Sequence, residues 1–396
     1  MDPAHPNRPR RLAILGASGS IGTSTLEVLE GLGAERNEFE VVLLAAHRSV
    51  DPLLAAARRH GCRAIAWTGF DDASGIVGEL PPECRVFCGA DAILEALDAT
   101  EPDVVLNGIT GAAGLAASAW TLRHGKPLLL ANKESLVVAG PLLTELARVH
   151  GAPILPVDSE HAAIHQCLRG ERRQDLRKIW LTASGGPFRD KRASELPGVS
   201  VREALAHPTW NMGPRISIGS ATLMNKTFEV LEAHHLFDLA PEEIDVVVHR
   251  QSIVHSMVGF RDGSILAQLG VPDMRLPIAY CLGYPKRLAF DFEGYDPMAF
   301  AKLTFEAPDP ERFPALRLGW RCIELGGNAG AVLNAADEVA TAAFLDGRIR
   351  FPRIATIVEE VLEAFDIEPL ESLDHVFDTD RRARDAARNR LLETVA

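Results

Sequence analysis

The sequence holds no run of about 18 apolar residues, the length a helical membrane span needs, so no membrane-spanning role is expected. The apolar core of a signal peptide is also missing. The basic start "MDPAHPNRPRR" leads straight into a strand-like run with no long transit segment before it, so a cytoplasmic protein of bacterial type is the expectation. Cys-x-x-Cys pairs are absent. The six cysteines, Cys62, Cys84, Cys88, Cys167, Cys281 and Cys322, are scattered, and none has partners at metal spacing. All six are read as reduced, mostly buried thiols. A basic surplus is lacking too. The formal net charge of −13 argues against a general nucleic-acid binder, and an anionic small molecule is admissible only where the cations that hold it are local. No internal repeat is found.

What is present is ordinary for a globular protein, with 47% hydrophobic and 24% charged residues, and 396 residues are enough for two or three domains. Residues 11–151 alternate short apolar runs ("RLAILGA", "FEVVLLAA", "RAIAWTG", "CRVFCG", "DVVLNGI", "KPLLLA") with helical stretches such as "STLEVLEGLG". That βαβ rhythm predicts a parallel sheet with helices on both faces. From 152 to 285 come longer polar loops, one amphipathic helix at about 220–235, and a hairpin signal, "FRDGS" between "VHSMVG" and "ILAQLG". Residues 286–311 carry three prolines and little period, and read as a linker crossing a surface, while 312–396 is helix-patterned. The expectation is an α/β chain: an N-terminal Rossmann-like doubly wound domain over 1–151, a central α/β domain over 152–285, and a small C-terminal helical bundle over 312–396.

"LGASGSIG" places Gly16, Gly19 and Gly22 between a strand and a helix. A dinucleotide's pyrophosphate must come close to backbone N–H groups at a helix N-terminus, and a Cβ at such positions blocks it. Glycines also make ordinary tight turns, but this pattern sits on the first strand of a βαβ series, which favours the dinucleotide. The acid that usually follows the second strand of an NAD site is lacking. His47, Arg48 and Ser49 stand there instead, and a cation with a hydroxyl fits the 2′-phosphate of NADP. The plain alternative is that Arg48 is a solvated loop charge.

"PVDSEH" sets Asp158 and Glu160 on either side of Ser159 after the apolar run "APIL". On a strand, residues two apart point the same way, so the two carboxylates converge unless the chain is already turning into the helix that follows. Two adjacent carboxylates stay ionised together with a cation between them, which suggests Mg²⁺ or Mn²⁺. A helix N-terminus, where Asp, Ser and Glu are all common, explains the stretch equally well. Further on, "SATLMNKTFEVLEAHH" buries Met224, Phe228 and Leu231 as a stripe and stacks Asn225 on Glu229 at i, i+4, with Lys226 beside them. A third carboxylate with an amide and an ammonium suits a metal and an anionic, hydroxyl-rich ligand. Lys226 and Glu229 could also be a surface ion pair.

"GASGSIG", "LLANKESLV", "LPVDSEHAAI", "ASGGPFR", "HPTWNMG", "SATLMNKTFE" and "QSIVHSMV", in this order over about 11–390, together resemble the 1-deoxy-D-xylulose 5-phosphate reductoisomerases. The resemblance implies isomerisation of 1-deoxy-D-xylulose 5-phosphate and reduction of the product by NADPH to 2-C-methyl-D-erythritol 4-phosphate, the committed step of the non-mevalonate isoprenoid pathway. It implies that 1–151 binds NADPH, that 152–285 carries catalysis, metal and the homodimer contact, and that the partner is a small phosphosugar. Asp158, Glu160 and Glu229 would hold Mg²⁺ or Mn²⁺. Ser159 and Lys133 would touch substrate oxygens, Lys133 moving a proton, stabilising an oxyanion or only clamping. Ser184, Ser220, Asn225 and Lys226 would bind phosphate or hydroxyl groups, with His207 and His255 lining the same pocket. Residues 184–214 would be a flap closing Trp210 and Met212 over the substrate. Ser18, Gly19, Ser20, Ile21, Asn132 and Glu134 would meet the cofactor beside Gly16 and Gly22.

Three positions depart from the family pattern: Ala46-His47-Arg48 after the second strand, "HRQS" at 249–252, and Gly219 where Asp is common. None removes a metal or phosphate ligand. His207 and His255 have a plainer reading as buried histidines, and Trp210 one as core. Two rival functions are a metal-independent NADP-dependent dehydrogenase of another small substrate, which leaves the three carboxylates unexplained, and a non-catalytic NADP sensor.

Overall fold

The computed structural model describes residues 8–32, 38–72, 80–81, 83–210, 212–289, 292 and 297–393. Of the expected linker, 290, 291 and 293–296 lie outside the described residues. The chain forms two compact units: Met1–Asn132 with Glu145–Asp158 and Met274–Glu293, and Lys133–Thr144 with Ser159–Asp273 and Gly294–Ala396.

Unit 1 is built on seven strands, β1 (Arg10–Leu15), β2 (Phe39–Ala46), β3 (Ala64–Trp67), β4 (Arg85–Cys88), β5 (Val104–Asn107), β6 (Leu128–Leu130) and β7 (Ile154–Pro156). Each of the six apolar runs contains one of them. Their unbroken hydrophobicity has a physical reason: β2 buries every residue from Val41 to Ala46, as a strand does when both faces are covered. The sheet order is β4-β3-β2-β1-β5-β6-β7, all parallel. Order reverses between β1 and β5, the switch point of a doubly wound sheet. Two segments expected in the central domain belong here. β7 pairs with β6 (Leu128 opposite Ile154), and helix Arg275–Gly283 adds Ile278, Tyr280, Cys281 and Leu282 to the same core, Cys281 Sγ donating to the Pro156 carbonyl at 3.0 Å. The unit therefore does not end at 151, nor its neighbour at 285.

Unit 2 holds a four-stranded sheet ordered β11-β10-β8-β9, from β8 (Leu176–Ala183), β9 (Ile244–Val248), β10 (Val254–Phe260) and β11 (Ile265–Leu269). β8 and β9 are parallel, and the other pairs antiparallel. The hairpin signal is realised between β10 and β11, with Gly263 at φ +90°. The amphipathic helix expected at 220–235 is instead two helices, Pro214–Thr222 and Met224–Phe237, broken at Leu223 in the left-handed region (φ +62°). The second has no wet face over its first turns: Met224 and every residue from Lys226 to Ala233 are buried. The C-terminal helices cover it. A Cβ on Gly319, in helix Arg317–Leu325, would stand 3.0 Å from the Thr227 carbonyl. Helices Ala329–Leu345, Arg353–Ala364 and Leu373–Glu393 complete this shared core, where Phe188 meets Phe351 edge-on at 5.0 Å. Among the described residues no helix is long and apolar enough to cross a membrane.

Candidate active site

In unit 1 each glycine of the loop after β1 has its own reason. Gly16 sits at φ +80°, and a Cβ there would lie 2.7 Å from the Gly108 carbonyl oxygen. At Gly22 a Cβ would meet the Ala17 Cα at 2.4 Å, so the helix Ser20–Gly31 can start this close to the loop only with glycine. Gly19 is the residue before the helix and provides no side-chain cap, while Gly19 and Ser20 are exposed and Ser18 and Ile21 half-buried. Such an N-terminus presents backbone N–H groups to an anion. His47 and Arg48 follow β2, the strand beside β1, and both are exposed; the His47 ring bonds Thr68 Oγ1 at 2.9 Å. Asn132 is buried and its amide nitrogen donates to the Ile109 and Gly111 carbonyls at 2.6 and 2.9 Å, stapling the loop after β5.

The carboxylates are placed differently from a strand's alternation. β7 stops at Pro156 and helix Ser159–Cys167 begins at once, so Asp158 precedes a helix and Glu160 lies in its first turn. Helix-start and carboxylate-cluster readings thus coincide. Asp158 closes unit 1, one peptide bond before Ser159. Ser159 Oγ donates to Glu160 Oε2 at 2.7 Å, and Glu160 and Glu229 offer oxygens within 4.8 Å of one another. Glu229 is buried and gathers cations: Lys133 Nζ lies 3.2 Å from its Oε1, Asn225 donates to the same oxygen, and Lys226 donates to Oε2. Lys226 Nζ also stands 3.4 Å from Glu160 Oε1. With side-chain exposures of 5% for Lys226 and 1% for Glu229, this is no surface ion pair. Two carboxylates and two ammoniums balance in charge.

His161 and Glu232, in "PVDSEH" and "SATLMNKTFEVLEAHH", are inward polar residues that the sequence alone does not single out. His161 is fully buried between the two helices; its Nε2 is 2.9 Å from the Glu229 carbonyl and its Nδ1 3.4 Å from Glu232 Oε2. A carbonyl only accepts, so Nε2 carries the hydrogen, and the ring fixes the backbone at Glu229. Glu232 is one turn beyond Glu229, a spacing that could have signalled a second inward acid.

A second group forms on the 184–214 segment. Gly185 and Gly186 are both left-handed (φ +82° and +68°), and a Cβ on Gly186 would be 2.6 Å from the Ser220 carbonyl oxygen, so this turn lies directly on the backbone of half-buried Ser220. His207 Nδ1 accepts from the Thr209 and Trp210 N–H groups at 3.1 and 2.9 Å, which makes Nε2 the protonated nitrogen, 2.9 Å from Ser184 Oγ. The Trp210 ring lies 6.4 Å from that of buried His255, and Met212 accepts from Ser217 Oγ through its carbonyl. Ser184, His207, Trp210 and His255 therefore form one chain of contacts, and Lys133, Glu160, Asn225, Lys226 and Glu229 another.

Burial, and then Arg189, push the His207 imidazole down to about 4. The folded ring stays neutral where an unfolded one, near 6.5, takes a proton, so its contribution is complete above about 6.5 and lost as pH falls toward 4. His207→Asn keeps an acceptor for the two N–H groups but does not titrate. The melting temperature of the unsubstituted protein should fall more steeply than the variant's between pH 6.5 and 4; parallel curves would refute this.

Three family models match the chain: "1-deoxy-D-xylulose 5-phosphate reductoisomerase" over residues 12–140, its "C-terminal domain" over 154–237, and "DXP reductoisomerase C-terminal domain" over 269–386. A 1-deoxy-D-xylulose 5-phosphate reductoisomerase of Anaeromyxobacter sp. (strain K) is 48% identical over 384 residues, 96% of this chain and 97% of its own length. One from Allorhizobium ampelinum is 46% identical over 389 residues, covering 98% and 97%. Among solved structures, the Zymomonas mobilis enzyme in complex with NADPH superposes with a TM-score of 0.90 at 44% identity, covering 97% of this chain and 99% of that one. A DOX-P reductoisomerase in complex with NADPH, fosmidomycin and magnesium also gives 0.90, at 39% identity and coverages of 96% and 98%.

Proposed function

The chain belongs to the 1-deoxy-D-xylulose 5-phosphate reductoisomerase family, and on that premise we propose how its residues divide the work. The enzyme isomerises 1-deoxy-D-xylulose 5-phosphate and reduces the product with NADPH to 2-C-methyl-D-erythritol 4-phosphate, the committed step of the non-mevalonate isoprenoid pathway. The relatives give no support to a metal-independent dehydrogenase or a silent sensor. Unit 1 binds NADPH: the N–H groups after Gly16, from Ser18 to Gly22, meet the pyrophosphate, and His47 and Arg48 meet the 2′-phosphate. Asn132 acts by shaping the loop after β5.

Asp158, Glu160 and Glu229 hold the divalent cation, magnesium as in the solved relative, or manganese. The donor chemistry fits, since all three are hard carboxylates and Glu160 and Glu229 offer oxygens within 4.8 Å of one another. When bound, the cation supplies charge stabilisation at the ketone and hydroxyl oxygens while the carbon skeleton rearranges, and NADPH supplies the hydride. The chain's own groups do the rest. The Lys133 ammonium donates to a substrate oxygen where negative charge develops, and Ser159 holds a hydroxyl. Ser184 Oγ already accepts from His207 Nε2 and the Gly186 N–H, so its own hydrogen is left to serve the phosphate, with Ser220, Asn225 and Lys226 as further donors. Trp210, Met212 and His255 exclude water from the reacting centre. The buried ammonium–carboxylate cluster on Glu229 is the observation that carries this reading: it lets a chain of net charge −13 take a phosphosugar.

The deciding experiment follows NADPH absorbance with 1-deoxy-D-xylulose 5-phosphate and Mg²⁺ or Mn²⁺, then with EDTA. Metal-dependent oxidation supports the reading, and binding of NADPH without consumption refutes it.

We further propose a cytoplasmic homodimer joined through β11. This edge strand leaves Ile265, Leu266 and Leu269 at 56%, 43% and 41% exposure, an uncovered apolar edge that soluble proteins ordinarily pair or blunt. Leu266→Lys should shift sedimentation from dimer to monomer; an unchanged dimer would place the contact elsewhere.

A further inference from the structure

We propose that Arg215 is a positioning residue for Lys133, acting through Glu134; the inference rests on the role given to Lys133 above. Lys133 and Glu134 open the helix Lys133–His150. Glu134 is buried, and its carboxylate lies 3.2 Å from Arg215 Nη1. Arg215 stands three residues after Met212, in the first turn of helix Pro214–Thr222. Its guanidinium is held in turn by the helix Ala329–Leu345: Nη1 donates to Glu338 Oε1 at 2.8 Å, Nη2 donates to Asn334 Oδ1 at 2.9 Å, and Asp337 lies 3.8 Å away. Arg384, from the last helix, braces Glu338 at 2.5 Å and Asp380 at 2.6 Å.

A second, independent observation fixes where that scaffold sits. A Cβ on Gly330 would lie 2.0 Å from the Val137 carbonyl oxygen, so the helix Ala329–Leu345 crosses the Lys133 helix in direct backbone contact one turn beyond Glu134. Glycine is required there by space alone. Asn334 follows one turn after Gly330, and Asp337 and Glu338 one turn after that, so one rigid crossing aims all three at Arg215. The arrangement is a planar fork with fixed donors, a task that lysine does not perform. Acids outnumber cations here, with Glu134, Asp337, Glu338 and Asp380 sharing Arg215 and Arg384. Consistent with that surplus, burial pushes the Asp337 carboxyl up to about 6. Arg215 is thus the cation on which the start of the Lys133 helix and the end of the 184–214 segment both depend. The C-terminal helices set the place of the Lys133 ammonium without lending a group to the reacting centre, and the Glu134 carboxylate serves Arg215 rather than the cofactor.

The test uses the full-length enzyme with Mg²⁺, NADPH and 1-deoxy-D-xylulose 5-phosphate, comparing Arg215→Gln, Glu134→Gln and the double variant. Each single change should lower kcat by about 10- to 100-fold, the usual effect of losing a group that orients a reacting one, with KM and the NADPH Kd within about 3-fold. The double variant should fall no further than the worse single one, and Arg215→Lys should not recover the rate. Losses that multiply, or a Glu134→Gln enzyme that binds NADPH weakly while keeping kcat, would overturn the proposal. If Arg215→Gln does not fold, Glu134→Gln decides alone: reduced kcat at unchanged melting temperature supports the proposal, unchanged kcat overturns it. An unsubstituted enzyme that never consumes NADPH would instead sink the reading of the site on which the inference rests.

Discussion

Glu229→Gln should lower kcat/KM by about 1,000-fold or more, a loss of about 4 kcal/mol in transition-state stabilisation. The substitution keeps the size of the side chain and its i, i+4 neighbour Asn225, and removes only charge. That charge is the point on which Lys133, Lys226 and Asn225 converge. The variant leaves two ammoniums facing a neutral amide, of which Lys226 still has Glu160 at 3.4 Å. Removing one partner of a buried pair commonly costs about 3–5 kcal/mol of folding stability, and the remaining pairing makes the lower end of that range the expectation. A second reading separates ligand loss from damage to the fold. Mg²⁺ should raise the melting temperature of the unsubstituted enzyme, because a ligand that binds only the native state stabilises it, and should leave the variant unmoved. Turnover within 10-fold of normal that still needs Mg²⁺ would remove Glu229 from the ligand set.

Gly22→Ala should weaken NADPH by about 100-fold or more, since a blocked phosphate loop forfeits most of the pyrophosphate's charge-assisted hydrogen bonds. The added Cβ would stand 2.4 Å from the Ala17 Cα and 2.5 Å from its carbonyl carbon and oxygen. These are backbone atoms, with no flexible side chain to yield, so the loop itself must shift. Gly19→Ala makes an informative comparison, because its Cβ would meet only the Gly16 carbonyl oxygen, at 3.3 Å. It should lower NADPH affinity by obstructing the ligand while the melting temperature holds, whereas Gly22→Ala should lower both. If Gly22→Ala binds NADPH normally by fluorescence titration, the loop is an ordinary turn. Mg²⁺-dependent stabilisation should survive in both variants, because the atoms that either new Cβ would meet include none of Asp158, Glu160 and Glu229.

What the sequence disclosed follows from what is local. Strands buried on both faces are written as unbroken apolar runs, so the strands of the parallel sheet could be read within a residue or two. The glycine spacing was legible because it lies within one short strand-to-helix turn, where Gly16 takes a left-handed φ and Gly22 packs on the Ala17 backbone. The hairpin at Gly263 was legible for the same reason. Allegiance across distance was not. Nothing in "APIL" says that β7 adds to the edge beside β6, and nothing in "RLPIAYCLG" says that this helix packs on the first sheet. The stretch around Asp158 fits alternation and a helix start equally well, because period-two spacing at a strand's end cannot be told from a helix's first turn. The helix from Met224 seemed amphipathic because Lys226, Glu229 and Glu232 are polar; their wet face is internal, covered by His161, Lys133 and the helices of the C-terminal segment. Arg215 gave no signal, since its partners lie far off in the chain, Glu134 on one side and Asn334, Asp337 and Glu338 on the other.

The make-up of unit 1 has a consequence for how the polypeptide comes into being. Its hydrophobic interior is assembled from three lengths of chain, the last of them the helix Arg275–Gly283. A fragment cut after the glycine loop and first six strands would expose the edge of β6 and the faces that Ile278, Tyr280 and Leu282 cover. During synthesis the same holds: the core of unit 1 stays uncovered until the ribosome has passed residue 283, by which time much of unit 2 has emerged as well. Closing such long loops before their contacts repay the entropy is slow. A nascent chain held at residue 150 should therefore leave the strands of unit 1 open to protease, and one held past 320 should protect them.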